Sequence, residues 1–476
     1  MADKPDRKVK PQVLKGFRDY PPSEQIARER MLATLRSSCE MMGFLPLQTP
    51  SLEFAEALLG SHYNTDSLAE LFGFKGPDDV DMALRYEFTV SLARYVAGQP
   101  TLALPFRRYQ YGNVWRVDKP GPGRYREFMQ FDIDIVGTKN LLADAEIIAA
   151  MVSTFEHLGI ERFEVRFSNR QILNGLVTYA GIPSERGADV LRVVDKLEKQ
   201  GREAVLLELG PGRIDQSGDK IKGLGLESAQ ISAIDKFLEL ALSRPASPLD
   251  GVMKLLESQE QSRIGVAELK EIEGHLANMS VDCSKTRIDL TIVRGLGYYT
   301  GPVFETTLLD LPEYGSMFSG GRYDNLVERF LNRSIPAVGS SIGVDRLLAA
   351  LIALKKLETV SATSAALVTV MDRERIPDYL AMLHELRGAG IPSEIFVGET
   401  KNIAKQFAYA DKVGIPFAIV AGSSEFEAGQ ITIKNLRAGK EKSAQTSDRE
   451  EWLKAESVQE TIPRSTLVDW LKRHLT

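Results

Sequence analysis

Four arginines, Arg116, Arg124, Arg294 and Arg346, stand in or beside glycine-containing stretches. Arginine stays charged and presents a planar fork of donors that matches phosphate oxygens. Four in such settings suggest a polyphosphate site, although each alone reads more readily as a surface arginine or a structural ion pair. A second group is acidic and amide. Gln130 and Asp134 are four residues apart in "YREFMQFDIDIV", and Glu87 lies in "LRYEFTVSLARY". Such a cluster could bind an ammonium group, and an aspartate beside a tyrosine hydroxyl could hold a ring with N–H donors. A solvated strand face fits the same residues. In "RGLGYYTGPVFE", Tyr298 and Tyr299 are adjacent. In a strand they would face opposite sides, one toward the core and one lining a pocket.

No catalytic triad or metal-ligand constellation is legible. "RGLGYYTGPVFE" holds no histidine, cysteine, serine or lysine, and His62, His157, His275, His384 and His474 are scattered, without metal-ligand spacing. No phosphate loop of the G-x-x-x-x-G-K-[ST] form occurs, and no G-x-G-x-x-G follows a parallel strand. Any reaction here must rest on positioning and charge stabilisation.

The elements that carry these residues are legible. The spacing of Leu32, Leu35, Cys39 and Met42 predicts a helix capped by Ser23 and stopped at Gly43. "FLPLQTPSLE" reads as extended, with Pro50 suited to an edge strand. Residues 104–136 read as a long antiparallel hairpin. On its return strand Phe131, Ile133 and Ile135 alternate with Gln130, Asp132 and Asp134, one face apolar and one polar. Residues near 185–285 read as a helical insertion, after which strands resume. "ETVSATSAA" (358–366) has the composition of a linker. Beyond it, alternating buried strands and helices predict a small α/β domain with a largely parallel sheet.

At 476 residues the chain is long enough for two or three domains. Two cysteines, Cys39 and Cys283, make a disulfide framework unexpected. A net charge of −6 excludes a bulk basic field, so contact with nucleic acid must come from local patches. No apolar run is long enough to span a bilayer and no signal-like segment follows "MADKPDRKVK", which leads to the expectation of a cytoplasmic protein.

Together these segments resemble the histidyl-tRNA synthetase family of class II aminoacyl-tRNA synthetases over nearly the whole chain. "KGFRDYPP" is similar to the family's opening, and "FLPLQTPSLE" to the first class II motif, at the dimer interface. "NVWRVDKPGPGRYREFMQFDIDIVG" is similar to the second motif, a hairpin over ATP and the tRNA acceptor end, and "AVGSSIGVDRLL" to the third. "RGLGYYTGPVFE" and "SGGRYDNLV" resemble the two signatures of the family. The resemblance implies an α+β catalytic domain on an antiparallel sheet (1–357, with the insertion inside it), the linker, and an anticodon-binding α/β domain (367–476).

By matching position, it also implies that Arg116, Arg124 and Arg346 hold ATP. Arg294, with Arg116, would serve the reacting groups. Glu87, Thr89 and Gln130 would receive the amino group of histidine, Asp134 and Tyr299 would flank its imidazole, and Tyr298 would also contact the histidine. ATP with Mg²⁺, histidine, tRNA(His) and a second copy of the chain are the implied partners. Such a site needs no enzyme nucleophile, because the substrate carboxylate attacks ATP. One departure is Gly297, where the family pattern has an acidic residue. It favours the alternative reading, a non-catalytic paralogue such as a regulatory subunit of ATP phosphoribosyltransferase.

Overall fold

The computed structural model describes residues 9–60, 71–121, 124–214, 218–245, 247–293, 298–357, 359–437 and 459–475. Arg294 and Gly297 lie outside the described residues. The chain divides into two compact units, Met1–Asp19 with Met31–Leu357 and Tyr20–Arg30 with Glu358–Thr476.

Helix α1 (Pro22–Met41) begins on proline, whose missing N–H is no loss in a first turn. Ser23 is therefore inside the helix and not its cap. Leu32, Leu35 and Cys39 are buried, and Gly43, at φ +76°, follows the helix end.

The first unit is built on eight strands. Their order is β1 (Leu45–Pro46), β5 (Phe106–Trp115), β6 (Glu127–Val136), β13 (Ala337–Gly343), β12 (Ser316–Arg322), β11 (Pro302–Leu308), β7 (Phe163–Asn169) and β10 (Thr286–Ile288). All neighbours are antiparallel except the two outermost pairs, β1 with β5 and β10 with β7. The expected hairpin is β5–β6, in register from Phe106↔Val136 to Trp115↔Glu127. Phe131, Ile133 and Ile135 are fully buried, and helix α4 (Leu142–His157) packs across β6, β7, β11, β12 and β13. The polar face of β6 is not solvated. Asp132 and Asp134 are only 4% and 3% exposed, because that face forms the wall of a cavity.

Of the first extended stretch, only Leu45–Pro46 joins the large sheet. Leu52–Phe54 forms β2 in a small antiparallel sheet with β4 (Asp81–Leu84) and β3 (Gly73–Lys75). Pro50 falls in the connection and not in an edge strand. Its carbonyl and that of Thr49 accept hydrogen bonds from the buried Arg85 guanidinium, at 3.3 and 2.7 Å. Helices α2 (Ala55–Leu59) and α3 (Thr89–Ala97) follow β2 and β4.

Between β7 and β10 run α5 (Arg170–Tyr179), α6 (Ser184–Val194), α7 (Leu197–Gln200), α8 (Arg202–Leu209), α9 (Ser228–Ser243), α10 (Pro248–Leu256) and α11 (Glu260–Asn278). The helical stretch thus starts before residue 185. It also carries a short ribbon, β8 (Gly212–Ile214) with β9 (Lys220–Lys222). Helix α12 (Val344–Ala353) follows β13 directly.

In the second unit the strand order is β15 (Ser393–Ile395), β14 (Ala366–Val368), β16 (Phe417–Val420), β17 (Gln430–Asn435) and β18 (Gln459–Pro463). The first three are parallel and the last two antiparallel, so the sheet is mixed where a largely parallel one was expected. Helices α13 (Ile376–Gly388), α14 (Ile403–Val413), α15 (Ser423–Glu427) and α16 (Leu467–His474) accompany it. Tyr379, Met382, Leu386, Ile419, Ile433 and Leu471 share its core.

Close approach of β6, β13 and β12 depends on glycine. A Cβ at Gly339 would lie 1.9 Å from Asp134 Oδ1 and 2.6 Å from the Ile133 carbonyl oxygen. Gly339→Ala should therefore destabilise the unit by about 1–3 kcal/mol through overpacking and displace the Asp134 carboxylate. Thermal unfolding together with a ligand titration checks this, and a variant with unchanged unfolding and binding would contradict the packing described.

Candidate active site

A cavity of about 270 Å³ opens on the sheet, lined by Glu87, Thr89, Arg116, Gln130, Asp132, Asp134, Tyr298, Tyr299, Glu305 and Ser341, among others. Gln130, Asp132 and Asp134 come from one face of β6, as strand geometry dictates. Glu87 and Thr89 come from the turn into α3. Tyr298 and Tyr299 both line this cavity, which corrects the expectation of opposite faces. They precede β11 and sit in a turn, so strand alternation does not apply, and their rings meet edge to face at 5.2 Å.

The inner end is acidic. The Tyr298 hydroxyl donates to Glu87 Oε2 at 2.9 Å. The Tyr323 hydroxyl donates to Asp134 Oδ1. The fully buried Arg108 puts Nη2 2.7 Å from Asp134 Oδ2, and the contact is Coulombic, since no well-aligned hydrogen bond joins them. Ser341 Oγ donates to Asp132 and accepts from Gln130 Nε2 at 2.8 Å. Burial pushes all three carboxyls up. Asp132 reaches about 7, opposed by Arg108 and reinforced by Asp134. Burial also raises Glu87, opposed by the Tyr298 hydrogen bond, and Asp134, opposed by Arg108. Burial holds the phenols of Tyr298, Tyr299 and Tyr323 neutral and able to donate.

Three buried carboxylate and amide oxygens at this end, Glu87 Oε1, Gln130 Oε1 and Asp134 Oδ2, have no hydrogen-bond partner among the described residues. Leaving such groups unmet costs free energy. A ligand with several N–H donors and a positive charge would satisfy them.

The outer end is basic. Arg116 lines the inner cavity and also an adjoining one of about 360 Å³, with Arg124 and Arg346. Arg116 is fixed by donation from Nε to the Tyr86 carbonyl at 3.2 Å, with its guanidinium 5.1 Å from the Phe128 ring centroid. Arg346 Nη1 donates to the Ser316 carbonyl at 2.7 Å. Asp345 accepts from the Met129 N–H at 2.9 Å, which ties α12 to the hairpin.

A further charge network supports the wall. Buried Arg166 on β7 reaches Glu305 at 2.8 Å, Asp289 at 3.2 Å and Glu198 of α7 at 2.5 Å. Thus Glu305, which lines the inner cavity, is held from behind.

The predicted residues Glu87, Thr89, Arg116, Gln130, Asp134, Tyr298 and Tyr299 meet at the inner cavity, and Arg116, Arg124 and Arg346 at the outer one. Sequence reasoning missed Asp132, Ser341, Tyr323, Arg108 and Glu305 as site residues. Asp132 alternates with Gln130 and Asp134 and was findable by period alone. Arg108 is opposite Asp134 in the hairpin, a pairing that only the register reveals.

A sheet of this order, with a long hairpin and a cleft acidic inside and arginine-rich outside, defines a class II aminoacyl-tRNA synthetase catalytic unit. Residues 16–347 match the histidyl-tRNA synthetase family, and residues 365–474 match the family described as anticodon binding domain. The chain is 40% identical to the histidine–tRNA ligase of Brucella abortus, covering 100% of this chain and 98% of that one. It is 42% identical to that of Paracoccus denitrificans, covering 98% of each. Among solved structures, histidyl-tRNA synthetase from Nostoc superposes with a TM-score of 0.79 at 31% identity, over 98% of this chain and 100% of that one. The chain belongs to the histidyl-tRNA synthetase family.

Asp132 gives a pH-dependent prediction. Its folded value, about 7, lies above the ordinary 3.8. The folded state therefore keeps a proton that the unfolded chain has lost across that window, and stability falls as pH rises from about 4 to 7. Asp132→Asn removes this loss. The variant should melt above the wild type at pH 8, by a free energy on the order of 4 kcal/mol, with the difference closing near pH 4. A difference independent of pH would contradict the assignment.

Proposed function

We propose that this chain charges tRNA(His) with histidine in two steps that use no enzyme nucleophile. The dipolar cleft carries this reading: unmet acceptors and carboxylates at its inner end, arginines at its outer end. Histidine is dipolar in the same sense. Its ammonium would meet Glu87, Thr89, Gln130 and Asp132. Its imidazole would lie against Asp134, Tyr298 and Tyr299. Its carboxylate would point toward Arg116 and the phosphates.

In the first step a carboxylate oxygen attacks the α-phosphorus of ATP, the bond to the bridging oxygen breaks, and pyrophosphate leaves with that electron pair. Arg116, Arg124 and Arg346 offset the charge spread over the phosphate oxygens, with Arg294 assigned to the same task by its place in the signature. In the second step a ribose hydroxyl of the terminal adenosine attacks the carbonyl carbon, the bond from that carbon to the phosphate oxygen breaks, and AMP departs with that electron pair while the hydroxyl proton passes to its phosphate. Alignment in a water-poor site supplies the rate enhancement.

Magnesium is part of the proposal, as a neutraliser of phosphate charge. Among the described residues no group of three or more His, Cys, Asp or Glu could hold a metal. The ion would thus arrive with ATP, using phosphate oxygens and water as most of its ligands. Rejection of other amino acids follows from the buried polar groups, which an analogue lacking partners would leave unpaired, worth roughly 10⁴-fold.

The second unit would read the anticodon. A homodimer is proposed from the apolar side chains Leu45, Leu52, Phe54 and Phe74, all exposed on edge strand β1 and on β2 and β3. Among the described residues no helix is long and apolar enough to cross a membrane, which fits the proposed place of action, the cytoplasm. The regulatory-subunit alternative is the weaker reading. A Bacillus halodurans protein whose name covers both roles is only 22% identical, a likeness of fold alone, whereas the phosphate-facing arginines are retained here.

Purified protein should catalyse ATP–pyrophosphate exchange with histidine and with no other amino acid. Glu87→Gln should raise the histidine KM about 10- to 100-fold, the worth of one charged hydrogen bond. Folded protein with no exchange would overturn the ligase reading.

A further inference from the structure

Arg108 is fully buried and stands behind the wall of the inner cavity, outside its lining. On β5 it lies directly opposite Asp134 of β6, with Gln110 opposite Asp132. Its Nη2 is 2.7 Å from Asp134 Oδ2. Yet Nε, Nη1 and Nη2 of Arg108 make no aligned hydrogen bond among the described residues, and neither does Asp134 Oδ2. A guanidinium taken out of water with its donors unused is costly, so packing alone does not account for it.

The surroundings of Asp134 do. Its charged and titratable neighbours are Arg108 from β5, Asp132 from its own strand, Tyr323 beyond β12, Tyr299 from the turn before β11, and Glu87 from the turn into α3. Strand β13 adds Gly339, which has nothing to ionise. Arg116 and Arg329 act on Glu87. Of the neighbours of Asp134 itself, Arg108 alone is positive. Burial drives the Asp134 carboxyl upward, and Arg108 is the first influence opposing it. Tyr323 donates to Oδ1. Arg108 therefore supplies charge to Asp134 without occupying Oδ2.

We propose that Arg108 is a positioning residue that determines specificity: it keeps Asp134 ionised with Oδ2 open, so that the pocket accepts a ring presenting an N–H donor and refuses a ring presenting only an acceptor nitrogen. A protonated Asp134 would donate, and would suit the opposite ring. The inference rests on the ligase reading and deepens it, because the choice of imidazole passes in part to a side chain outside the cavity lining. Refusal follows from leaving a buried acceptor unpaired.

The test is histidine-dependent ATP–pyrophosphate exchange by full-length protein between pH 6 and pH 9, for wild type, Arg108→Met and Arg108→Lys. Arg108→Met removes the charge and keeps most of the bulk, so the Asp134 carboxyl rises further and holds a proton where the wild type has lost it. Its histidine KM should exceed the wild-type value about 10- to 100-fold at pH 6, the worth of one charged hydrogen bond, and approach it toward pH 9. Arg108→Lys should restore the wild-type profile, and the KM for ATP should be unaltered in both. Beside Asp134→Asn, Arg108→Met should add nothing to the histidine KM. An increase independent of pH, or one that persists beside Asp134→Asn, marks a structural role and overturns the proposal.

A second measurement uses the wild type alone. The thiazole analogue of histidine has an acceptor nitrogen and no N–H, and the thiophene analogue has neither. The ratio of their inhibition of exchange should be the same at pH 6 and pH 8. A ratio that moves in favour of the thiazole at pH 6 would place a proton on Asp134 and sink the proposal. A wild type that performs no histidine-dependent exchange would instead remove the ligase reading itself.

Discussion

Three carboxylates, Glu87, Asp132 and Asp134, are buried at the inner end of one cavity, with the fully buried Arg108 against Asp134. Taking charge out of water is costly unless it is paired. Here the pairing is incomplete, and Asp132 is driven to about 7 as a result. The rest of the catalytic unit is arranged around that imbalance. Tyrosine hydroxyls from elsewhere in the chain, Tyr298 and Tyr323, are brought in to donate to Glu87 and Asp134. Ser341 bridges Asp132 and Gln130. Among the groups left unmet are three acceptors, Glu87 Oε1, Gln130 Oε1 and Asp134 Oδ2, which suit a cation with several N–H groups, so in the proposed reaction free energy lost in folding would be recovered on binding substrate.

The sheet makes this placement possible. One face of β6 puts Gln130, Asp132 and Asp134 in a row, and Gly339 on β13 leaves space for the Asp134 carboxylate. The hairpin and α12 then set the arginines on the opposite side of the same cleft. The separation of sign matters mechanistically. In the proposed reaction an amino acid would enter with its ammonium inward and its carboxylate outward, aimed at the phosphate. Arg166 adds support from behind, joining the wall residue Glu305 to α7 of the insertion.

Much of this was legible in the residues. Period-two alternation located the β5–β6 hairpin and its two faces, and the family resemblance, by matching position, singled out Glu87, Gln130, Asp134 and the tyrosines. Burial was not legible, because an Asp–Ile–Asp strand looks the same whether its polar face meets water or a cavity. The strand rule misplaced Tyr298 and Tyr299, which sit in a turn before β11 begins. Arg166 escaped notice because its partners, Asp289 and Glu305, are distant in sequence; Arg108 stands directly opposite Asp134 in the hairpin, but alternation alone does not fix which residue faces which across the two strands. In the second unit the alternation of strand and helix was clear. The antiparallel direction of β17 depends on which neighbour it pairs with, and periodicity does not encode that.

Proton linkage tests the central claim most directly. Histidine binding can be measured by calorimetry at pH 7 in buffers of different ionisation enthalpy, for wild type and for Asp132→Asn. Subtracting the variant cancels the titration of the ligand's own imidazole. If Asp132 is half protonated in the free protein and ionised beside the bound ammonium, the wild type releases about half a proton more than the variant. Equal proton release by the two proteins would contradict a buried carboxylate held in readiness for the substrate cation.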